Sequence, residues 1–180
     1  MRKIILILLL VGLLAGCKSK EKKATDLIEK VQKSYNESEL PWEKIESQVY
    51  KTNIAHNTPL NNQTCWDLAL LCVEMEDFWN NNPQASALGE KLVNEPIYNL
   101  KNIISEFKQR KDNIGYEFYI KLKITFKDKS IASQDVRLVT DKNINNIILL
   151  EPLDDSLFER ARFYISNLDS NNVEDYLLWK

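Results

Sequence analysis

From Tyr116 onward the chain alternates strictly. Tyr116, Phe118, Ile120, Leu122, Ile124 and Phe126 interleave with Glu117, Tyr119, Lys121, Lys123, Thr125 and Lys127. A period of two held over about a dozen residues predicts one long, half-buried strand opening at Gly115. Asp128-Lys129-Ser130 has the composition of a turn, Gln134 to Thr140 makes a second strand with Val136 and Leu138 inward, and Ile147 to Leu150 makes a third. Connections this short require antiparallel pairing.

Before Gly115 the period is helical. Leu27, Ile28, Val31 and Tyr35 share a face, and Pro41 stands where it would open a second helix aligning Trp42, Ile45 and Val49. A third helix is predicted from Thr64 to Trp79, started by a capping box at Thr64 and Asp67 and apolar on most sides, which makes it central. A short helical stretch from Gln84 to Val93 then reaches Glu95-Pro96, after which Ile97, Leu100, Ile103, Ile104 and Phe107 give an amphipathic helix with the basic end Lys108, Arg110, Lys111. Asp154-Asp155-Ser156 caps a last helix carrying Leu157, Phe158, Ala161, Ile165 and Leu168, and the tail Val173 to Trp179 is apolar enough to dock. The class is α+β: several N-terminal helices, a three-stranded antiparallel meander, then a covering C-terminal helix.

The first residues follow another logic. Arg2 and Lys3 precede an apolar run from Ile4 to Leu14, then the small residues Ala15 and Gly16 stand before Cys17. This is the three-part form of an export signal, and its run of about 11 residues falls well short of the roughly 20 needed to span a bilayer. Leu14-Ala15-Gly16-Cys17 resembles the lipobox of bacterial lipoproteins. The resemblance implies cleavage before Cys17, a diacylglycerol thioether on its sulfur and acylation of the new amino terminus; several acyl chains anchor a protein stably where one does not. Lys18 follows the cysteine where an aspartate commonly marks retention at the inner membrane, so the resemblance favours the periplasmic face of the outer membrane. The expected organisation is a signal peptide over 1–16, a lipidated cysteine with a flexible polar tether over 17–24, and a single domain over 25–180, a size that supports one core.

Charge narrows the partners. The chain has 24 Lys and Arg against 26 Asp and Glu, a formal charge of −2, and it becomes more acidic when Arg2 and Lys3 leave with the signal. No long basic block or aromatic-basic motif is present, which argues against nucleic acid. The acidic segment Thr25 to Leu100, the basic segment Lys101 to Lys142 and the acidic end from Glu151 suggest complementarity within the domain or with a protein partner. Only Gly89 and Gly115 remain after the signal, too few for the tight turns of most all-β folds, while asparagine clusters at 80–82, 143–146 and 171–172 serve as turn formers.

Candidate chemistry is sparse. His56, the one histidine, falls in an expected loop from Asn53 to Asn62, and no Gly-x-Ser-x-Gly elbow accompanies it. Ser105 and Lys108 have the Ser-x-x-Lys spacing of penicillin-recognising enzymes, without the companion Lys-Thr-Gly. Glu74 and Asp77 share a face of the central helix, with Glu76 pointing elsewhere; paired carboxylates can act as acid and base in glycoside hydrolysis, although a solvated polar stripe is the simpler account. Cys65 and Cys72 lie seven residues apart, about 10.5 Å along a helix, beyond the roughly 6.8 Å a disulfide tolerates; they are expected as buried thiols unless the helix starts later. No metal ligand set or cofactor motif is present.

Binding residues stand out more than catalytic ones. Of Trp42, Trp66, Trp79 and Trp179, Trp79 and Trp179 are placed for partial exposure, and Tyr119, Lys121, Lys123 and Arg137 would form a cationic outer strand face. The expected function is therefore non-enzymatic: a lipid-anchored, periplasm-facing protein that binds an envelope partner, of the inhibitor or immunity type or as an accessory subunit. A cell-wall hydrolase using the carboxylates of the central helix is the alternative.

Overall fold

The computed structural model describes residues 19–35, 42–82, 89–107 and 112–168. Their order is α1 (Lys20–Tyr35), β1 (Trp42–His56), a 3-10 turn (Pro59–Asn61), α2 (Gln63–Asn81), α3 (Gly89–Phe107), β2 (Asn113–Phe126), β3 (Ile131–Asp141), β4 (Ile147–Pro152) and α4 (Ser156–Asn167). The strands form one antiparallel sheet in the order β1-β2-β3-β4. The α+β class holds, with one strand more than the sequence pattern predicts. The tail from Val173, the basic end at Lys108 to Lys111 and Cys17 lie outside the described residues. Among those described, no helix is long and apolar enough to cross a membrane.

The extra strand is β1, where the sequence pattern predicts a helix. Ile45, Ser47 and Val49 occupy alternate, partly buried positions facing α1, and the Ser47 hydroxyl donates to the Glu29 carboxylate at 2.6 Å. A polar residue in an inward slot hides the period of two and leaves Trp42, Ile45 and Val49 with a coincidental helical spacing. The same strand takes in Asn53 to His56, so the expected loop shortens to 57–62.

Helix boundaries shift for local reasons. α1 begins at Lys20, inside the stretch expected to be a flexible tether: the Ser19 hydroxyl accepts from Lys22 N at 3.1 Å, Lys22 pairs with Asp26 one turn on, and Ala24 is fully buried. The α2 cap is Asn62 rather than Thr64, its side chain accepting from Cys65 N at 3.0 Å. Pro96 does not end a helix; it sits inside α3. An interior proline costs about 3 kcal/mol, and the burial of Ile97, Leu100, Ile104 and Phe107 beyond it, at roughly 1.5–3 kcal/mol for each such side chain, outweighs that. Asp155 caps α4 as predicted, accepting from Leu157 N at 2.9 Å and Phe158 N at 3.3 Å. Asp155→Ala is expected to lower stability by about 1 kcal/mol, read as a shift of the urea midpoint at constant slope.

Both faces of the sheet are used. On one, Phe118, Ile120, Leu122, Val136 and Leu138 pack against Ala24 and Ile28 of α1. On the other, Val139 and Leu149 pack under α2, α3 and α4, with Trp66, Ala69, Val73, Ile97, Leu100, Ala161 and Ile165 in that core. Trp66 is wholly buried, donates Nε1–H to the Leu60 carbonyl at 3.0 Å and lies 5.8 Å from the Phe158 ring. The three-helix layer covers only part of its face, and β2 keeps a solvated row of lysines beyond it.

Candidate binding site on the open sheet face

Where the helical layer stops, no described helix covers the sheet. Lys121 and Lys123 are exposed; Lys123 lies opposite Glu46, and Lys121 lies between Gln48 and Asp135. Among the described residues neither lysine is within ion-pair distance of a carboxylate, whereas nearby Lys44 is held by Glu46 at 2.7 Å. Tyr50 bulges out of β1 and is 52 % exposed. Its ring lies 6.2 Å from that of Tyr119, its hydroxyl donates to Asp135 at 3.3 Å, and Lys51 stands over the Tyr119 ring at 4.7 Å. Burial, then the Glu117 charge, raises the Tyr119 phenol above its ordinary value, so both tyrosines remain neutral hydrogen-bonding groups at physiological pH. Aromatic faces beside unpaired ammonium groups suit a protein surface carrying carboxylates.

Arg137 departs from the expected patch. Its backbone pairs with Tyr119 as the predicted face requires, but its side chain is only 7 % exposed. Nε donates to Glu151 at 2.9 Å and stands 3.3 Å from Glu117, and the two Nη groups reach the Leu60 carbonyl and Asn61 Oδ1. The 3-10 turn therefore closes over this arginine and removes it from the surface. Glu151 is completely buried and also accepts from Nε of Arg162 at 2.7 Å and from its Nη2. Glu117 in turn accepts from the Tyr119 hydroxyl at 3.2 Å and from Asn53 at 3.0 Å.

A cavity of about 290 Å³ opens beside this network, lined by Thr58, Asn61, Glu117, Tyr119, Arg137 and Arg162, with Leu60 and Leu153 as apolar wall. Glu117, Glu151 and Arg162 are absent from the sequence-level candidates, yet β4 carries a signal for one of them. Glu151 has the strand parity of Leu149, the inward one, and a carboxylate at an inward position calls for a buried cation.

The other candidates do not converge. Trp79 is partly exposed near the end of α2, and Trp179 lies outside the described residues. Glu74 is exposed, while Asp77 and Glu76 both bind Arg160, at 2.8 Å each. Ser105 is exposed and donates to its own helix at Asn102. His56 is exposed at the end of β1. Among the described residues no group of His, Cys, Asp and Glu is arranged to hold a metal ion.

Cys65 and Cys72 are free, buried thiols within α2. Burial pushes their pKa values from 9.0 to about 11 and about 12. In the unfolded chain they ionise from about pH 9, while the folded chain holds their protons longer, so stability falls as pH rises through that window, by at most about 1.4 kcal/mol per pH unit per thiol. Urea unfolding between pH 8 and 11 is expected to show this decline, and Cys65→Ala/Cys72→Ala is expected to flatten its slope.

The chain matches no family model, no curated protein and no solved structure.

Proposed function

We propose that this is a lipid-anchored, periplasm-facing binding protein without catalytic activity, of the inhibitor or immunity type or an accessory subunit, that holds a protein partner in the bacterial envelope. The observation that carries the reading is the open part of the sheet, where Lys121 and Lys123 are exposed and the half-exposed Tyr50 lies against a partly buried Tyr119 beside a polar cavity. Tyr119 is an aromatic candidate of the sequence alongside Trp79 and Trp179, and Tyr50 joins it on this face.

The direction of α1 supports this use of the face. Its first residue, Lys20, sits over the Tyr116 ring at 4.1 Å, and near its end Lys33 approaches Trp42, which pairs with Phe126. Cys17 precedes Lys20 by three residues, a reach of at most about 11 Å. A lipid on Cys17 thus tethers the Tyr116 end of β2, and the Phe126 end is carried about 34 Å along the strand, with Lys121 and Lys123 towards it. If the strand stands away from the bilayer, Lys121 and Lys123, about 17 and 24 Å along it, lie beyond the Debye length of about 8 Å over which attraction to lipid fades at physiological salt.

Crosslinking in intact envelopes tests the proposal. A photo-crosslinking residue at position 121 is expected to capture one stoichiometric protein from cells making the lipidated chain. Capture should fall at least tenfold in Cys17→Ala and in Lys121→Glu/Lys123→Glu. Mass spectrometry of the mature amino terminus should show an acylated cysteine. Hydrolysis of purified cell wall by the protein, lost in Glu74→Gln, would replace this reading with the hydrolase.

A further inference from the structure

One cation beside the cavity keeps unused hydrogen-bond donors. Arg137 is spent internally: Nε on Glu151 and Glu117, both Nη groups on the Leu60 carbonyl and Asn61. Glu117 is equally committed, to Arg137, Tyr119 and Asn53. Arg162 is not. It uses Nε and one Nη2 hydrogen, both on a single oxygen of Glu151, although a guanidinium presents five N–H donors. Its side chain is 33 % exposed and lines the cavity, and among the described residues no acceptor meets Nη1. Glu117 and Glu151 balance the two guanidiniums in charge, so what Arg162 keeps open is its outer donor edge. Thr58 lines the same cavity, and its hydroxyl makes no hydrogen bond to a described residue.

From these groups we infer that the cavity is a carboxylate pocket, in which the outer Nη1/Nη2 edge of Arg162 and the Thr58 hydroxyl receive one carboxylate-bearing group of the partner while Leu60 and Leu153 pack against its methylene stem. A guanidinium edge offers two parallel N–H bonds, the geometry that carboxylates match. The volume, about 290 Å³, lies at the bottom of the roughly 300–1,000 Å³ range of small-molecule sites, which suits a single side chain or chain end better than a cofactor. Tyr119 belongs both to this cavity and to the open face, so a partner lying on the lysines would reach the pocket with one anchoring residue, as hot-spot residues do. The inference rests on the binding-protein reading and supplies its specificity pocket.

Three probes, titrated into the full chain purified in detergent and followed by NMR, separate the sources of the carboxylate: N-acetyl-glutamic acid 1-amide has only the side-chain carboxylate, N-acetyl-glutamine only the terminal one, and N-acetyl-glutamine amide neither. Saturable binding of one of the first two, at least tenfold tighter than the third and weakened at least tenfold in Arg162→Gln, is expected. Because Arg162 also holds Glu151, Thr58→Val provides a variant outside the ion network, expected to weaken the same probe at least threefold at unchanged thermal stability. Equal binding of the uncharged probe, no saturation with either carboxylate, preference for inorganic phosphate, or wild-type binding in both variants would overturn the pocket. An envelope crosslink that persists after such a result leaves the binding-protein reading intact; loss of the crosslink alone removes that reading and not the carboxylate chemistry.

Discussion

Glu151→Gln is expected to remove about 3–5 kcal/mol of stability, the usual result of deleting one partner from a buried ion pair. Glu151 has no exposed surface, and it receives Arg137 Nε, Arg162 Nε and Arg162 Nη2. A neutral amide keeps the volume but not the charge. It would leave Arg137, 7 % exposed, with only Glu117, which stands 3.3 Å away and is partly solvated. The loss is large against the roughly 5–15 kcal/mol that separates folded from unfolded domains. Arg162→Gln should cost clearly less, because a third of that side chain already meets water and the buried Glu151 keeps its bond from Arg137 at 2.9 Å. The pair Arg137→Met/Glu151→Leu removes two charges but leaves Glu117 and Arg162 without their charged partners and the Leu60 carbonyl without its guanidinium donor, so it should recover little of the Glu151→Gln loss. Urea unfolding of the four proteins measures all of this. A Glu151→Gln protein within 1 kcal/mol of wild type would mean that the network does not hold the sheet to the 3-10 turn.

That coupling has structural reach. Arg137 reaches from β3 to the Leu60 carbonyl and to Asn61, the same carbonyl accepts Trp66 Nε1–H, and Asn62, one residue on, caps α2. Losing the Glu151 charge therefore loosens the start of the central helix and the cavity wall together.

Much of the fold was legible where one periodicity acted alone. The alternation of β2 predicts its strand, the Asp128-Lys129-Ser130 turn and the meander with β3 and β4, and Lys129 takes the positive φ that such a turn requires. It failed where a polar side chain occupied an inward position. Ser47 in β1 disguised a strand as a helix because its partner, Glu29, sits in another element. Arg137 looked like surface because alternation says which face a residue takes, and nothing local says that a turn 76 residues away in sequence will cover it. Alternation places Lys121 and Lys123 on the outer face, and there they are exposed, with no described element over them. The candidate site divides the same way: its open lysines and Tyr119 were visible in one strand, whereas Glu117, Glu151, Arg162 and Thr58 come together only in three dimensions.

Gly115→Ala is the second substitution expected to be severe, at about 3 kcal/mol or more, the upper end of overpacking costs. Gly115 does not have a positive φ, so its value lies in space rather than in backbone freedom. A Cβ built there would stand 1.8 Å from the Thr140 carbonyl oxygen and 2.7–2.8 Å from the carbonyl carbons of Asp141 and Thr140. These are backbone atoms of the neighbouring strand, and no rotamer change can move them aside. β2 and β3 would have to separate where Gly115 pairs with Asp141, and on its other side Gly115 also pairs with Ala55 of β1. The disturbance falls on the turn that Asp141 organises by accepting from Asn145 N at 2.8 Å and Asn146 Nδ2 at 2.9 Å. A loss of this size corresponds to a fall in Tm of roughly 6–12 °C for a chain of this length. Amide exchange should accelerate first at Tyr116 and Thr140 and least at Lys121 and Lys123, because the clash is confined to one end of the sheet. Gly115→Ser should behave like Gly115→Ala, since the obstruction is the Cβ atom itself; a Tm within 2 °C of wild type for either would show that the strands separate at this end without appreciable cost.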